Sequence, residues 1–170
     1  MSLVLARVDE RLIHGQVVVG WVPELGARRI LVADDAAAAD PFDRDMLESA
    51  APPGVTVEVL DTAAAGRRLR EDVSEPTLLL VRSPASMLAV AHGGGVLAEV
   101  NLGGLYAKPG SRRFGDYLHF LPADLDALRE LAKSGRRIVA QDLPGRAARD
   151  LTASLAEGHL VFDQLPAGDP

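Results

Sequence analysis

The sequence predicts a single-domain α/β fold, a mainly parallel β-sheet flanked by helices on both faces. Three observations carry this. Short β-branched runs alternate with Ala/Leu-rich amphipathic stretches, the order from which right-handed βαβ units are built. The run Thr77-Leu78-Leu79-Leu80-Val81 is apolar without alternation, as a strand covered on both faces requires. A chain of 170 residues, 48% of them hydrophobic, suits one substantial core, and neither a linker nor a fixed repeat divides it. One domain is therefore expected over 1–170, with a last helix and tail from about residue 145.

The elements follow in order. Leu3 to Leu5 is the first strand, running into a charged loop. Val17, Val18, Trp21, Val22 and Leu25 fall at helical spacing and mark one buried face. Arg29 to Ala33 is a strand ending at Asp34-Asp35. Asp40-Pro41 reads as N-cap and first helical residue, and Met46 and Leu47 supply apolar positions on that helix. Pro52-Pro53-Gly54 is a turn, and Val55 to Val59 alternates as a strand. Asp61-Thr62 caps a helix whose C-terminal end carries Arg67, Arg68 and Arg70, where the dipole favours cations. After the strand 77–81, a helix from about Pro84 to Ala91 closes at Gly93-Gly94-Gly95. Val96 to Val100 is the next strand, leading into Asn101-Leu102-Gly103-Gly104, and 105–115 reads as irregular. Tyr117 to Leu121 is a short strand. Leu125, Leu128 and Leu131 mark a helix closed by Gly135, Arg137 to Ala140 is the last clear strand, and a final helix covers about Gly145 to Ala156.

Composition removes several functions. The formal charge of −6 and pI near 5.2 argue against broad nucleic-acid binding and against an anionic-membrane anchor. With no cysteine, disulfides, thiolate metal sites and a cysteine nucleophile are excluded. No His-x-x-x-His or comparable ligand spacing is present, so neither a metal nor a cofactor is expected. No signal peptide is recognisable and no apolar run approaches the ~20 residues that span a bilayer, so a cytoplasmic protein is expected.

Chemistry concentrates in Asp9-Glu10-Arg11-Leu12-Ile13-His14-Gly15-Gln16. In open parallel sheets ligands bind beyond the carboxyl ends of the strands, where this loop lies. A helix starting near Gly15 presents free N–H groups and a positive dipole end to an anion. Arg11 can pair with phosphate oxygens, and Gly15 permits close approach. His14 must be neutral to attack phosphorus, and an unperturbed imidazole, with a pKa of about 6.5, largely is at neutral pH. Arg11 and the dipole favour that form further. Asp9, in preference to Glu10, is placed to fix the ring tautomer or to order the loop. Phosphoryl transfer built on positioning and charge needs no bound metal. Local chemistry leaves a second reading open, a loop or helix-cap histidine.

Other residues are weaker candidates. Arg82 and Ser83 follow a central strand and can border the same mouth; their plain alternatives are a salt-bridged arginine and a helix N-cap. Asn101, Gly103 and Gly104 can shape a second wall of the mouth, but a turn needing positive φ is the favoured reading. Lys108, Arg112 and Arg113 read as a solvated loop. His92 reads as structural, and His119 and His159 have no constellation around them.

The run Arg7-Val8-Asp9-Glu10-Arg11-Leu12-Ile13-His14-Gly15-Gln16-Val17 resembles the IIB subunit of the mannose/fructose/sorbose family of the bacterial phosphotransferase system (PTS), with no departure across Asp9 to Gln16. Leu80-Val81-Arg82-Ser83-Pro84, Asn101-Leu102-Gly103-Gly104-Leu105 and the stretch from Gly135 to Gln141 with Leu143-Pro144 resemble later family segments in the right order. The resemblance implies a phosphohistidine carrier, a protein-phosphohistidine–sugar phosphotransferase. His14 would accept a phosphoryl group from a IIA histidine, on its δ1 nitrogen, and pass it to a sugar entering through membrane IIC and IID subunits. Arg11 would contact the phosphoryl group, and the backbone at Ile13, Gly15 and Gln16 would bind its oxygens. The implied location is the cytoplasm, docked to IIC/IID. Self-association into a homo-oligomer, with the last helix contributing, is compatible with the chain. Two alternatives stay open: a regulatory phosphocarrier uncoupled from transport, and a non-catalytic α/β ligand-binding domain.

Overall fold

Thr77–Val81 is buried at every position and forms the strand on which the molecule is organised. In the computed structural model, which describes residues 3–71 and 74–164, Leu79 and Val81 face one core while Leu78 and Leu80 face another. Helices therefore cover both faces of one seven-stranded sheet, ordered β3-β2-β4-β1-β5-β8-β9. The strands are β1 (Leu3–Asp9), β2 (Arg29–Ala33), β3 (Thr56–Leu60), β4 (Thr77–Val81), β5 (Glu99–Gly104), β8 (Arg137–Ala140) and β9 (Arg149–Asp150). All pairs are parallel except β8 with β9. A separate antiparallel hairpin joins β6 (Arg112–Phe114) to β7 (Leu118–Phe120).

The helices divide by side. A π-helical turn, Gln16–Trp21, continues as α1 (Val22–Leu25); it packs with α2 (Asp35–Ala39) over Ile30, Val32, Leu78 and Leu80. The opposite face carries α4 (Thr62–Arg70), α5 (Pro84–His92), α6 (Pro122–Lys133) and α7 (Thr152–Glu157) over Leu31, Leu79, Val100 and Ile138. Local chemistry starts these helices where the sequence predicts. Asp61 accepts from the N–H of Ala64, and Asp40 from that of Phe42, with Pro41 in the first turn. A side-chain cap of this kind contributes about 1 kcal/mol by satisfying an otherwise orphaned donor.

The structure corrects several boundaries. β1 runs to Asp9, so Arg7 and Asp9 belong to the sheet and not to a loop. α3 (Pro41–Ser49) buries none of its residues; Leu47 is half-buried and Met46 exposed, because the helix sits beside the edge strand β3. β5 begins at Glu99, three residues later than predicted. Val96 is exposed and only Leu97 enters the core, since no partner strand lies alongside until Arg137 pairs with Glu99. Asn101, Gly103 and Gly104 lie in β5 and form no turn; neither glycine has positive φ. The irregular stretch contains β6. Gly145 to Ala148 is loop, β9 follows as a further strand, and the last helix is Thr152–Glu157. The tail beyond residue 164 lies outside the described residues.

Candidate active site

β1 lies at the centre of the sheet, between β4 and β5, so the loop after it opens at the middle of the carboxyl edge. Leu12 anchors that loop. It is fully buried in the core beneath the π-helix, and reaching it costs the backbone a left-handed turn at φ 53°. A non-glycine residue in this region carries strain of order 1 kcal/mol or more, which full burial of a leucine, worth about 1.5–3 kcal/mol, offsets.

Asp9 gathers the groups at this edge. Its carboxylate is fully buried. Oδ2 lies 2.9 Å from His14 Nε2 and accepts from the Arg7 guanidinium at 2.9 Å; Oδ1 accepts from the Arg11 N–H at 3.1 Å. A carboxylate oxygen only accepts, so the ring proton sits on Nε2 and the lone pair on Nδ1. Among the described residues no group hydrogen-bonds Nδ1. Arg11 reaches over the loop to Gln16 Oε1 at 2.8 Å and leaves its side chain more than a third exposed. The N–H groups of Ile13, Gly15 and Gln16 meet no acceptor among the described residues, at the start of the π-helical turn. Gly15 has ordinary helical φ, and a Cβ there would meet nothing within 4 Å. Neither backbone conformation nor packing against distant residues therefore requires a glycine at this position.

Burial pushes the His14 imidazole below its ordinary pKa of 6.5; Asp9 opposes this, while Arg11 and Arg7 add to it. The chief cause is therefore desolvation, with the arginine charge secondary. The sign of the consequence is definite. Below 6.5 the unfolded chain binds a proton that folded His14 still refuses, so stability rises with pH through the window just under 6.5. Histidine-resolved NMR is expected to give a His14 midpoint below 6.5; a midpoint at or above that value would contradict the burial account.

Of the residues predicted for the site, the structure brings together Asp9, Arg11, Ile13, His14, Gly15 and Gln16. Arg82 and Ser83 take their plainer roles. Arg82 pairs with Asp34 at 2.6 Å and donates to the Glu10 carbonyl at 3.2 Å, bracing the loop from outside. Ser83 accepts from the Ser86 N–H and caps α5. Glu10 turns away to Lys108 and the Tyr106 N–H. His92 pairs with Glu130, and His119 with the Leu105 carbonyl. Among the described residues no cluster of His, Asp or Glu could hold a metal ion, and no helix is long and apolar enough to cross a membrane.

Sequence reading missed Arg7, Asn101, Gly103 and Trp21 as a set. Arg7 is fully buried, donates to Asn101 Oδ1 at 2.6 Å and to the carbonyls of Gln141 and Asp142, and lies 5.4 Å from the Trp21 ring. Trp21 Nε1 donates to the same Asp142 carbonyl. A Cβ on Gly103 would fall 2.0 Å from the guanidinium carbon, so this glycine is required by close approach. The available signal was a charged residue alternating into the buried face of a strand.

A family model described as the PTS system sorbose subfamily IIB component matches residues 3–165. The chain belongs to this IIB family. It is 36% identical over 148 residues to the sorbose-specific EIIB component of Klebsiella pneumoniae, covering 84% of this chain and 90% of that one. It is 34% identical to the mannose-specific EIIAB component of Escherichia coli over 137 residues, 79% of this chain but 42% of that longer one. The crystal structure of the IIB domain of the Klebsiella pneumoniae sorbose permease superposes with a TM-score of 0.80 at 29% identity, covering 92% and 98% of the two chains. An Escherichia coli N-acetylgalactosamine-specific IIB component superposes at 0.81 with 26% identity, covering 86% and 97%. This IIB component is thus a phosphotransferase-system protein of sugar transport.

Proposed function

We propose that this IIB component, acting as one domain over 1–170, carries a phosphoryl group on Nδ1 of His14. The group comes from a IIA phosphohistidine and goes to a sugar admitted by membrane IIC and IID subunits, at which the protein docks. The observation that carries this is the 2.9 Å contact of Nε2 with buried Asp9, which leaves Nδ1 with its lone pair unengaged among the described residues.

In the transfer, the Nδ1 lone pair forms the new N–P bond as the bond from phosphorus to the donor nitrogen breaks. The Nε2 proton stays on the ring, which becomes cationic and faces the Asp9 carboxylate. Arg11 and the unpaired N–H groups at Ile13, Gly15 and Gln16 meet the incoming oxygens. Lowered basicity keeps the ring neutral and nucleophilic at physiological pH. Positioning and charge stabilisation are the means by which such transfers are accelerated.

The test is incubation with phosphoenolpyruvate, enzyme I, HPr and a matching IIA protein, followed by intact-mass and fragment analysis above neutral pH. One phosphoryl group per chain is expected, mapped to His14, with the phosphorus resonance of a δ1-phosphohistidine. No label from a IIA that charges another IIB protein, or label at a different residue, would overturn the assignment.

A further inference from the structure

Arg7 is an expensive residue for the centre of a sheet. Its neighbours in register are Leu80 and Asn101, its side chain is wholly buried, and its Nε finds no partner. Desolvating a guanidinium costs several kcal/mol, and a buried ion pair is often no more stabilising than apolar side chains of equal volume. Sheet stability therefore does not account for an arginine here. Its surroundings are built for one: four hydrogen bonds, the Trp21 ring, and a glycine where any Cβ would collide.

What Arg7 reaches explains its placement. Its Nη2 donates to Asp9 Oδ2, the same oxygen that faces His14 Nε2, and both distances are 2.9 Å. The guanidinium is held from the far side by Asn101 and by two carbonyls of the loop after β8, so it cannot follow Asp9 if the carboxylate turns. We propose that Arg7 is a positioning residue for phosphoryl transfer: it clamps Asp9 so that Oδ2 faces Nε2, which reserves Nδ1 as the nucleophile. This rests on the reading of His14 given above.

The clamp has a second consequence. When Nδ1 carries phosphorus, the ring is cationic and its Nε2–H shares Oδ2 with a fixed guanidinium. Arg7 thereby limits how far Asp9 can stabilise the charged ring and keeps the phosphoryl group transferable. In the unphosphorylated protein the same charge restrains Asp9 from taking the Nε2 proton, so the ring stays a neutral, oriented base. Asn101, Gly103 and Trp21 act on His14 through Arg7.

The test is histidine nitrogen NMR at neutral pH on the uniformly 15N-labelled chain, together with the rate of phosphoryl uptake from phosphorylated IIA. Wild type is expected to show the Nε2–H ring. Arg7→Lys keeps the charge but loses the planar fork. It is expected to show a mixture of tautomers and about tenfold slower uptake at unchanged KM for IIA. A wild-type ring protonated on Nδ1, or a folded Arg7→Lys with wild-type tautomer and rate, overturns the proposal. Should Arg7→Lys not fold, Asn101→Ser, which frees one arm of the guanidinium, is expected to shift both readouts in the same direction. A change in melting temperature alone would show a merely structural role. The tautomer is read without any donor, so a failure of Arg7 is distinguishable from a failure of His14 to accept phosphate.

Discussion

His14→Ala is expected to take up no phosphoryl group, and Asp9→Asn to take it up on the order of a hundredfold more slowly or worse, as when a carboxylate orienting an imidazole is neutralised elsewhere. The two substitutions fail for different reasons. The first removes the proposed nucleophile and leaves the sheet intact. The second keeps the ring but loses the anion that orients it and faces its positive charge once phosphorylated. Asp9→Asn also leaves Arg7 as a buried charge without a counter-ion, because among the described residues no other carboxylate hydrogen-bonds the guanidinium. Breaking a buried pair in this way costs about 3–5 kcal/mol. Uptake kinetics and urea unfolding on the same samples separate the effects. An Asp9→Asn protein with wild-type stability would show that Arg7 and Asp9 are not a pair. One with a wild-type rate would remove Asp9 from the mechanism.

Gly66→Ala is expected to be among the most destabilising conservative changes in the chain. Gly66 lies inside α4, where alanine would ordinarily gain about 1 kcal/mol of helix propensity. Here an added Cβ would stand 2.4 Å from the Val90 carbonyl oxygen and 2.8 Å from the Gly93 carbonyl carbon. Both obstacles are backbone, which no rotamer change can move. α4 and α5 touch chain to chain at this point and would have to separate, costing about 1–3 kcal/mol or more and exceeding the propensity gain. In a domain of this size each kcal/mol lowers the melting temperature by about 2–4 °C. Thermal unfolding followed by circular dichroism checks this: a melting temperature at or above wild type would mean that the helix pair yields freely.

Much of the fold was legible because its signals are local. The unbroken apolar run at Thr77–Val81, the strands Arg29–Ala33 and Arg137–Ala140, and the caps Asp40 and Asp61 depend on neighbours one to four residues away. The errors fell where pairing decides. Val96 has strand character but no strand beside it. Arg112–Phe114 looks like a loop until Leu118–Phe120 folds back on it. Arg149–Asp150 becomes a strand only by lying against Val139 and Ala140.

The site divides along the same line. The segment Asp9 to Gln16 names its own chemistry, because the imidazole, the arginine and the open backbone lie within eight consecutive residues. From the sequence alone, His14, Arg11 and Asp9 emerge as a group, and an α/β sheet emerges to present them. Which ring nitrogen faces outward is settled by distances between residues far apart in the chain. Asp9 is oriented by Arg7, Arg7 is held by Asn101 ninety-four residues later, and a glycine at 103 gives the guanidinium its room. Side-chain alternation says that Arg7 points to one face of a strand; only the neighbouring strand says what it meets there. The sequence singled out the candidate reacting group, and the tertiary structure decided which of its nitrogens meets Asp9, because a buried hydrogen bond is a property of two positions brought together.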